Sequence, residues 1–155
     1  MNEIVDSHQA ADPAHRRERG IEAYARIFDL PEKDVPAAMA GRVGQVFAEE
    51  VLLAAGGPAW FHPALTGRER SMLIIAVLTA QGVAGERLDS HVRLAQRYGL
   101  DYEALTAMMT LVTNYIGQAR GSQAMEAVQR LAGPGSQTSP GHAMSATAVD
   151  NEVTL

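Results

Sequence analysis

The stretch from Met72 to Ala80 constrains this chain most, because every side chain in it except Thr79 is apolar. A helix that is apolar on all sides has to be covered on all sides. Neighbouring helices of one small domain leave part of such a surface over, so a partner subunit is expected. The run is too short to cross a bilayer, which takes roughly 20 apolar residues. Thr66 is the expected N-cap, with Glu69 three residues on at capping-box spacing. Gly82 stops this helix. A second runs from about Gly85 to Tyr98, and Gly99 supplies the left-handed residue that closes it. Together these make a helical hairpin spanning Trp60 to Gly99, with His91 in the middle of its second arm.

The flanking sequence is helical as well. Residues 1–12 are polar and aperiodic, and a flexible segment is expected there. Pro13 suits the first turn of a helix carrying Ile21, Tyr24 and Phe28 at helical spacing and ended by Pro31. A second helix is expected from Pro36 to Ala55, with Val43, Val46, Phe47, Glu50, Val51 and Ala54 along one stripe. Gly56, Gly57 and Pro58 force a turn. After Gly99, Asp101 is the expected N-cap of a helix through Leu105, Met108, Met109, Val112 and Ile116. Ser122 is the expected cap of a last helix, closed by Gly133 and Pro134. Residues 134–155 are rich in Gly, Ser, Pro and Thr and read as a disordered or extended arm. No segment reads as a strand. The expected fold is all-α, a bundle of about six helices in one domain over residues 13–133.

Composition narrows the function. A net charge of −5 provides no basic field, so nucleic acid is not an expected partner. With no cysteine there is no disulfide, no thiolate nucleophile and no peroxidatic thiol. The first twenty residues lack the apolar core of a signal peptide. A soluble, cytoplasmic protein is the expectation, with no membrane partner. The five histidines are scattered and match no metal-ligand spacing, and there is no Gly-rich phosphate loop, so no metal is expected.

Three blocks then carry a family resemblance. Arg17-Glu18-Arg19-Gly20, the run from Trp60 through Pro63, Leu65, Arg68, Arg70 and Ser71 to Leu73, and His91-Val92-Arg93 followed by Gly99 resemble, in order and spacing, segments of the carboxymuconolactone decarboxylase family. Tyr115-x-Gly117 resembles a later block. The resemblance implies a small all-α homo-oligomer, a trimer or hexamer, that works without a cofactor. The type activity removes a carboxyl group from a γ-lactone. A related alkylhydroperoxidase-D-like branch uses a Cys-x-x-Cys pair upstream of the histidine, where this chain has Val83-Ala84-Gly85-Glu86. That redox cycle has no substitute side chain. Departures from the decarboxylase pattern fall where the family shapes its pocket. Gly56-Gly57-Pro58-Ala59-Trp60 replaces a stretch with an acidic residue and a further Trp, His62 stands where Arg is usual, and Arg97-Tyr98 where Asn-Asn is usual.

Cofactor-free decarboxylation needs an electron sink in the substrate, a grip on its anion and a proton donor. Histidine suits the proton and arginine the carboxylate. The same set serves proton abstraction next to a carbonyl, in a lyase or isomerase acting on an aromatic or polyketide intermediate. His91, on the edge of the Leu88, Val92 and Ala95 stripe, is the first catalytic candidate; the alternative is a buried histidine with a satisfied hydrogen bond. Glu86 is the second, as a proton relay or simply a carboxylate favoured at a helix start. Arg87, four residues before His91, is a candidate substrate-binding residue or a solvated one. Trp60 and His62, on the linker before the hairpin, are substrate-binding candidates, against a packing anchor and an exposed histidine. Tyr115 is a pocket phenol or a core residue. The small-molecule enzyme competes with a non-catalytic helical oligomer that binds an apolar or aromatic ligand.

Overall fold

The capping box forms at Thr66. In the computed structural model, which describes residues 12–136, the Glu69 N–H donates to Thr66 Oγ1 at 3.2 Å and the Thr66 N–H donates to Glu69 Oε2 at 2.7 Å. Both orphan donors at this helix start are satisfied, and the carboxyl pKa of Glu69 is lowered, first by the Thr66 backbone donor and then by its hydroxyl.

Among the described residues seven α-helices follow one another: α1 (Pro13–Phe28), α2 (Val35–Val43), α3 (Gln45–Ala55), α4 (Gly67–Ala80), α5 (Glu86–Arg97), α6 (Tyr102–Ile116) and α7 (Gln118–Ala132), with a single 3-10 turn at Glu32–Asp34. Among the described residues there is no strand. The all-α expectation holds, with seven helices in place of about six. The expected N-terminal segment and C-terminal arm lie, except for Asp12 and residues 134–136, outside the described residues.

Two expected boundaries are corrected. The helix expected from Pro36 to Ala55 is two helices, broken at Gly44, whose φ of 84° and ψ of 151° suit only a residue without a Cβ. Ser122 does not cap the last helix. Gly117 (φ 89°, ψ 155°) makes the same kind of break, α7 starts at Gln118, and the Ser122 hydroxyl donates within the helix to the Ala119 carbonyl. Elsewhere local signals behave as expected. Asp101 caps α6 by accepting from the Ala104 N–H, and Gly99 adopts φ 81° after α5.

Two apolar clusters form. Ile75, Leu88, Val92, Leu105, Met109 and Val128 knit α4 to α7. Val35, Met39, Ala48 and Leu52 gather α2 and α3 under Ile21, Tyr24 and Phe28 of α1. Helices α1 and α3 touch backbone to backbone. A Cβ on Gly20 would stand 1.9 Å from the Leu52 carbonyl oxygen, and one on Gly56 would stand 1.6 Å from that of Arg16. Arg17 adds an ion pair to Glu49 at 2.6 Å across the same contact. On the other side, Arg130 of α7 donates to both carboxylate oxygens of Asp89 on α5 at 2.7 Å.

Helix α4 is covered on one side only. Ser71, Ile75 and Thr79 are buried, and the Thr79 hydroxyl is accommodated there by donating to the Ile75 carbonyl at 2.8 Å. Leu73 and Val77 each remain 54% exposed and Met72 36%. The single protomer therefore leaves a strip of α4 in water.

Candidate functional site

The stripe of α5 that carries Leu88, Val92 and Ala95 packs into the larger cluster. This turns the adjoining edge, with Arg87 and His91 one turn apart, toward the α1–α3 layer. A cavity of about 520 Å³ lies between the two layers. One wall is Leu78 of α4 with Glu86, Arg87, Ser90 and His91 of α5. Facing it are Tyr24, Ile27 and Phe28 of α1, Met39, Arg42 and Val43 of α2, and Phe47 and Val51 of α3.

His91 is the unsatisfied member. Its Nδ1 is buried without a hydrogen-bond partner, and burial lowers the imidazole pKa from its ordinary value of 6.5. The ring is therefore neutral at pH 7, since a desolvated imidazolium is disfavoured. Across the cavity, burial raises the pKa of the Tyr24 phenol and nearby Arg87 partly opposes that shift. The phenol stays protonated and able to donate. The Ser90 hydroxyl donates to the Arg87 carbonyl at 3.1 Å. The Glu86 carboxylate accepts from Arg93 at 3.1 Å in an exposed pair, and no hydrogen bond joins it to His91. Arg42 lies 4.4 Å from the centroid of the Phe28 ring. Neither Arg42 nor Arg87 has a carboxylate partner among the described residues.

The structure thus brings together three of the six residues singled out in the sequence, His91, Glu86 and Arg87. The other three lie elsewhere in the protomer. Trp60 is half-buried in the α3–α4 connection. His62 is exposed in the same connection, its Nδ1 accepting from the Ala64 N–H at 3.2 Å and its carbonyl from Arg70, also at 3.2 Å. Tyr115 is 84% exposed in the last turn of α6, which is not a core position. Sequence reasoning missed Tyr24, Arg42 and Phe47. Tyr24 had a signal, its place on an apolar helical stripe, but that reads as core. Phe47 had the same signal, a place on the stripe of the second expected helix, and Arg42 had none. Among the described residues no three His, Cys, Asp or Glu side chains gather as metal ligands would, and no helix is long and apolar enough to cross a membrane.

The family model of the carboxymuconolactone decarboxylase family matches residues 47–130, more than half of the chain. The chain belongs to the carboxymuconolactone decarboxylase family. No curated protein and no solved structure matches it. The match divides the cavity unevenly. The α5 wall with His91, together with Phe47 and Val51, falls inside the family segment. The α1 and α2 residues, Tyr24 and Arg42 among them, fall outside it. As a carboxymuconolactone decarboxylase family member without cysteine, the protein has no thiol with which to run the peroxidase cycle of the related branch.

Proposed function

We propose that this protein is a cofactor-independent enzyme in which His91 carries acid–base chemistry, decarboxylation or a related proton transfer, on a small lactone or cyclic carbonyl acid. The observation that carries the reading is the neutral, unpartnered His91 imidazole at the wall of a cavity that also holds two unpaired arginines. A half-buried imidazole whose Nδ1 is buried without a hydrogen bond is not held there by polar packing. A neutral ring accepts a proton from carbon next to a carbonyl, and the imidazolium so formed returns it at another atom. In a decarboxylation the carboxyl carbon–carbon bond breaks, its electron pair enters the conjugated carbonyl and carbon dioxide leaves; His91, having taken a proton from solvent, passes it to the enolate carbon and returns to its resting neutral form. Arg87, one turn from His91, holds the substrate carboxylate. Glu86 at the helix start supports Arg93 and the local field. Trp60, His62 and Tyr115 have no part in the cavity of one protomer; a substrate role for them would come through a neighbouring subunit.

We further propose a homo-oligomer, a trimer or hexamer, in which the strip of α4 bearing Leu73 and Val77 meets another protomer. The cysteine-free composition is in keeping with a reducing cytoplasmic setting. The test is His91→Ala assayed against a set of γ-lactone and cyclic β-keto acids, with the oligomeric state followed by light scattering. Loss of turnover with assembly unchanged supports the enzyme. Turnover that survives the change overturns it. Ligand binding by the wild type without turnover of any member of the set favours the non-catalytic oligomer.

A further inference from the structure

The cavity walls restrict the ligand more narrowly than the proposed chemistry does. Five arginines, Arg17, Arg26, Arg93, Arg97 and Arg130, reach carboxylates. Arg68, Arg70 and Arg120 donate to backbone carbonyls. Of the four arginines with neither kind of partner among the described residues, Arg16 and Arg19 lie away from the cavity, Arg19 over the Phe61 ring, while Arg42 and Arg87 stand on its opposing walls. The single carboxylate of the lining, Glu86, is engaged by Arg93. Two guanidiniums left this way favour an anion between them. The remaining surface has no use for a second one. More than half of the lining side chains are apolar, with Phe28, Met39, Val51 and Leu78 among them. Phe47, 59% exposed at the rim, is an aromatic ring without cover. An additional carboxylate on the ligand would lose water against these groups and gain at most one neutral donor, the Tyr24 phenol, in place of a guanidinium. A volume of about 520 Å³ is also in the range of roughly 300–1,000 Å³ that takes drug-sized ligands.

We infer that the ligand is a single-headed amphiphile, with one carboxylate gripped between Arg42 and Arg87 and an aromatic or alkyl body laid against Phe28, Phe47 and Met39. Small polycarboxylates are excluded. This rests on the proposed reading only in taking the cavity as the substrate site. It assigns specificity to Phe28, Met39 and Arg42 of α1 and α2, which lie outside the family segment, together with Phe47 and Arg87 inside it, and proton transfer to His91.

The test is binding rather than turnover. 2-Naphthoate, decanoate, 2-naphthalenemethanol and tricarballylate are titrated at pH 7.5 by calorimetry, with the His91 imidazole followed by ¹⁵N NMR. Naphthoate or decanoate binds at least tenfold more tightly than both the neutral alcohol and the tricarboxylate, and moves the His91 resonances. Arg42→Gln and Arg87→Gln each weaken the carboxylate by about tenfold, the scale of one exposed charge-assisted contact, and leave the alcohol unchanged. Both arginines are exposed, so these variants keep their fold, and the unchanged alcohol serves as the check. The inference is overturned if tricarballylate binds as tightly as naphthoate, if neither monocarboxylate binds, or if the arginine variants bind carboxylate and alcohol like the wild type. His91→Gln separates the two claims. Arginine-dependent binding in a protein that turns nothing over ends the catalytic reading and leaves this one standing. Turnover of a small polycarboxylate through His91 does the reverse.

Discussion

Replacing Gly20 by alanine tests the contact on which the cavity's outer wall depends. The new Cβ would lie 1.9 Å from the Leu52 carbonyl oxygen, whereas ordinary contact begins near 3.4 Å, so α1 and α3 must part by about 1.5 Å. The obstacle is not a flexible side-chain end but the backbone of Leu52, tied to the rest of α3 by hydrogen bonds. Overpacking of this kind costs about 1–3 kcal/mol, and a backbone collision belongs at the upper end. Alanine recovers about 1 kcal/mol through its higher helix propensity. The net is a loss of about 2 kcal/mol, or roughly 4–8 °C in Tm for a chain of this size. Gly41 is the internal control. It lies in α2, is exposed, and a Cβ there meets nothing within 4 Å. Gly41→Ala should raise stability by about 0.4–1 kcal/mol, the ordinary gain from restricting the unfolded chain. Calorimetric melting of the two variants beside the wild type reads the opposite signs directly. Gly20→Ala should also weaken ligand binding, because Tyr24, Ile27 and Phe28 follow Gly20 on the same helix. A Gly20→Ala protein as stable as Gly41→Ala would falsify the close approach of α1 and α3.

Three further outcomes are expected. Thr66→Ala removes one half of the α4 capping box and should cost about 1 kcal/mol, seen as a lower denaturant midpoint with an unchanged slope. Burial lowers the His91 pKa below the 6.5 of an unfolded histidine, so the unfolded chain binds more protons between those two values. The contribution of His91 is therefore full above pH 6.5, falls as the pH drops through 6.5 toward the folded value, and is constant below it. The difference in Tm between wild type and His91→Gln should shrink or reverse over that interval, and a difference flat from pH 8 to 5 would count against the buried ring. Val77→Asp places a charge on the exposed strip of α4 and should yield a smaller species by light scattering, with helical content by circular dichroism unchanged.

What the sequence revealed was decided within a few residues. Thr66 and Glu69 are three apart, Asp101 and Ala104 likewise, and Gly99 follows α5 directly. His91 and Arg87 meet because four residues bring side chains onto one face of a helix. The break at Gly44 stayed hidden for a related reason. Val43, Val46, Phe47 and Val51 remain in phase across it, and a lone glycine in a helical pattern signals little until its φ is known. The structure leaves Val46 81% exposed, where an unbroken stripe would have buried it. Tyr24, Arg42 and Phe47 line the cavity opposite His91 only because α1, α2 and α3 fold back over α5, a long-range packing that no periodicity encodes. Likewise nothing local separates Trp60 or His62, on a linker, from the cavity they do not line.

Membership of the carboxymuconolactone decarboxylase family bears on the two walls of the cavity differently. The matched segment begins at Phe47 and includes the helix that sets the imidazole and its neighbouring guanidinium. It stops short of α1 and α2, which contribute a phenol, a second guanidinium and four apolar side chains to the facing wall. The imidazole owes its lowered pKa to burial, and α1 to α3 form the layer that faces it across the cavity. The N-terminal helices thus shape the space in front of a histidine they do not contain. On the proposed reading, two chains alike over residues 47–130 and different over 13–43 would offer the same histidine to different molecules.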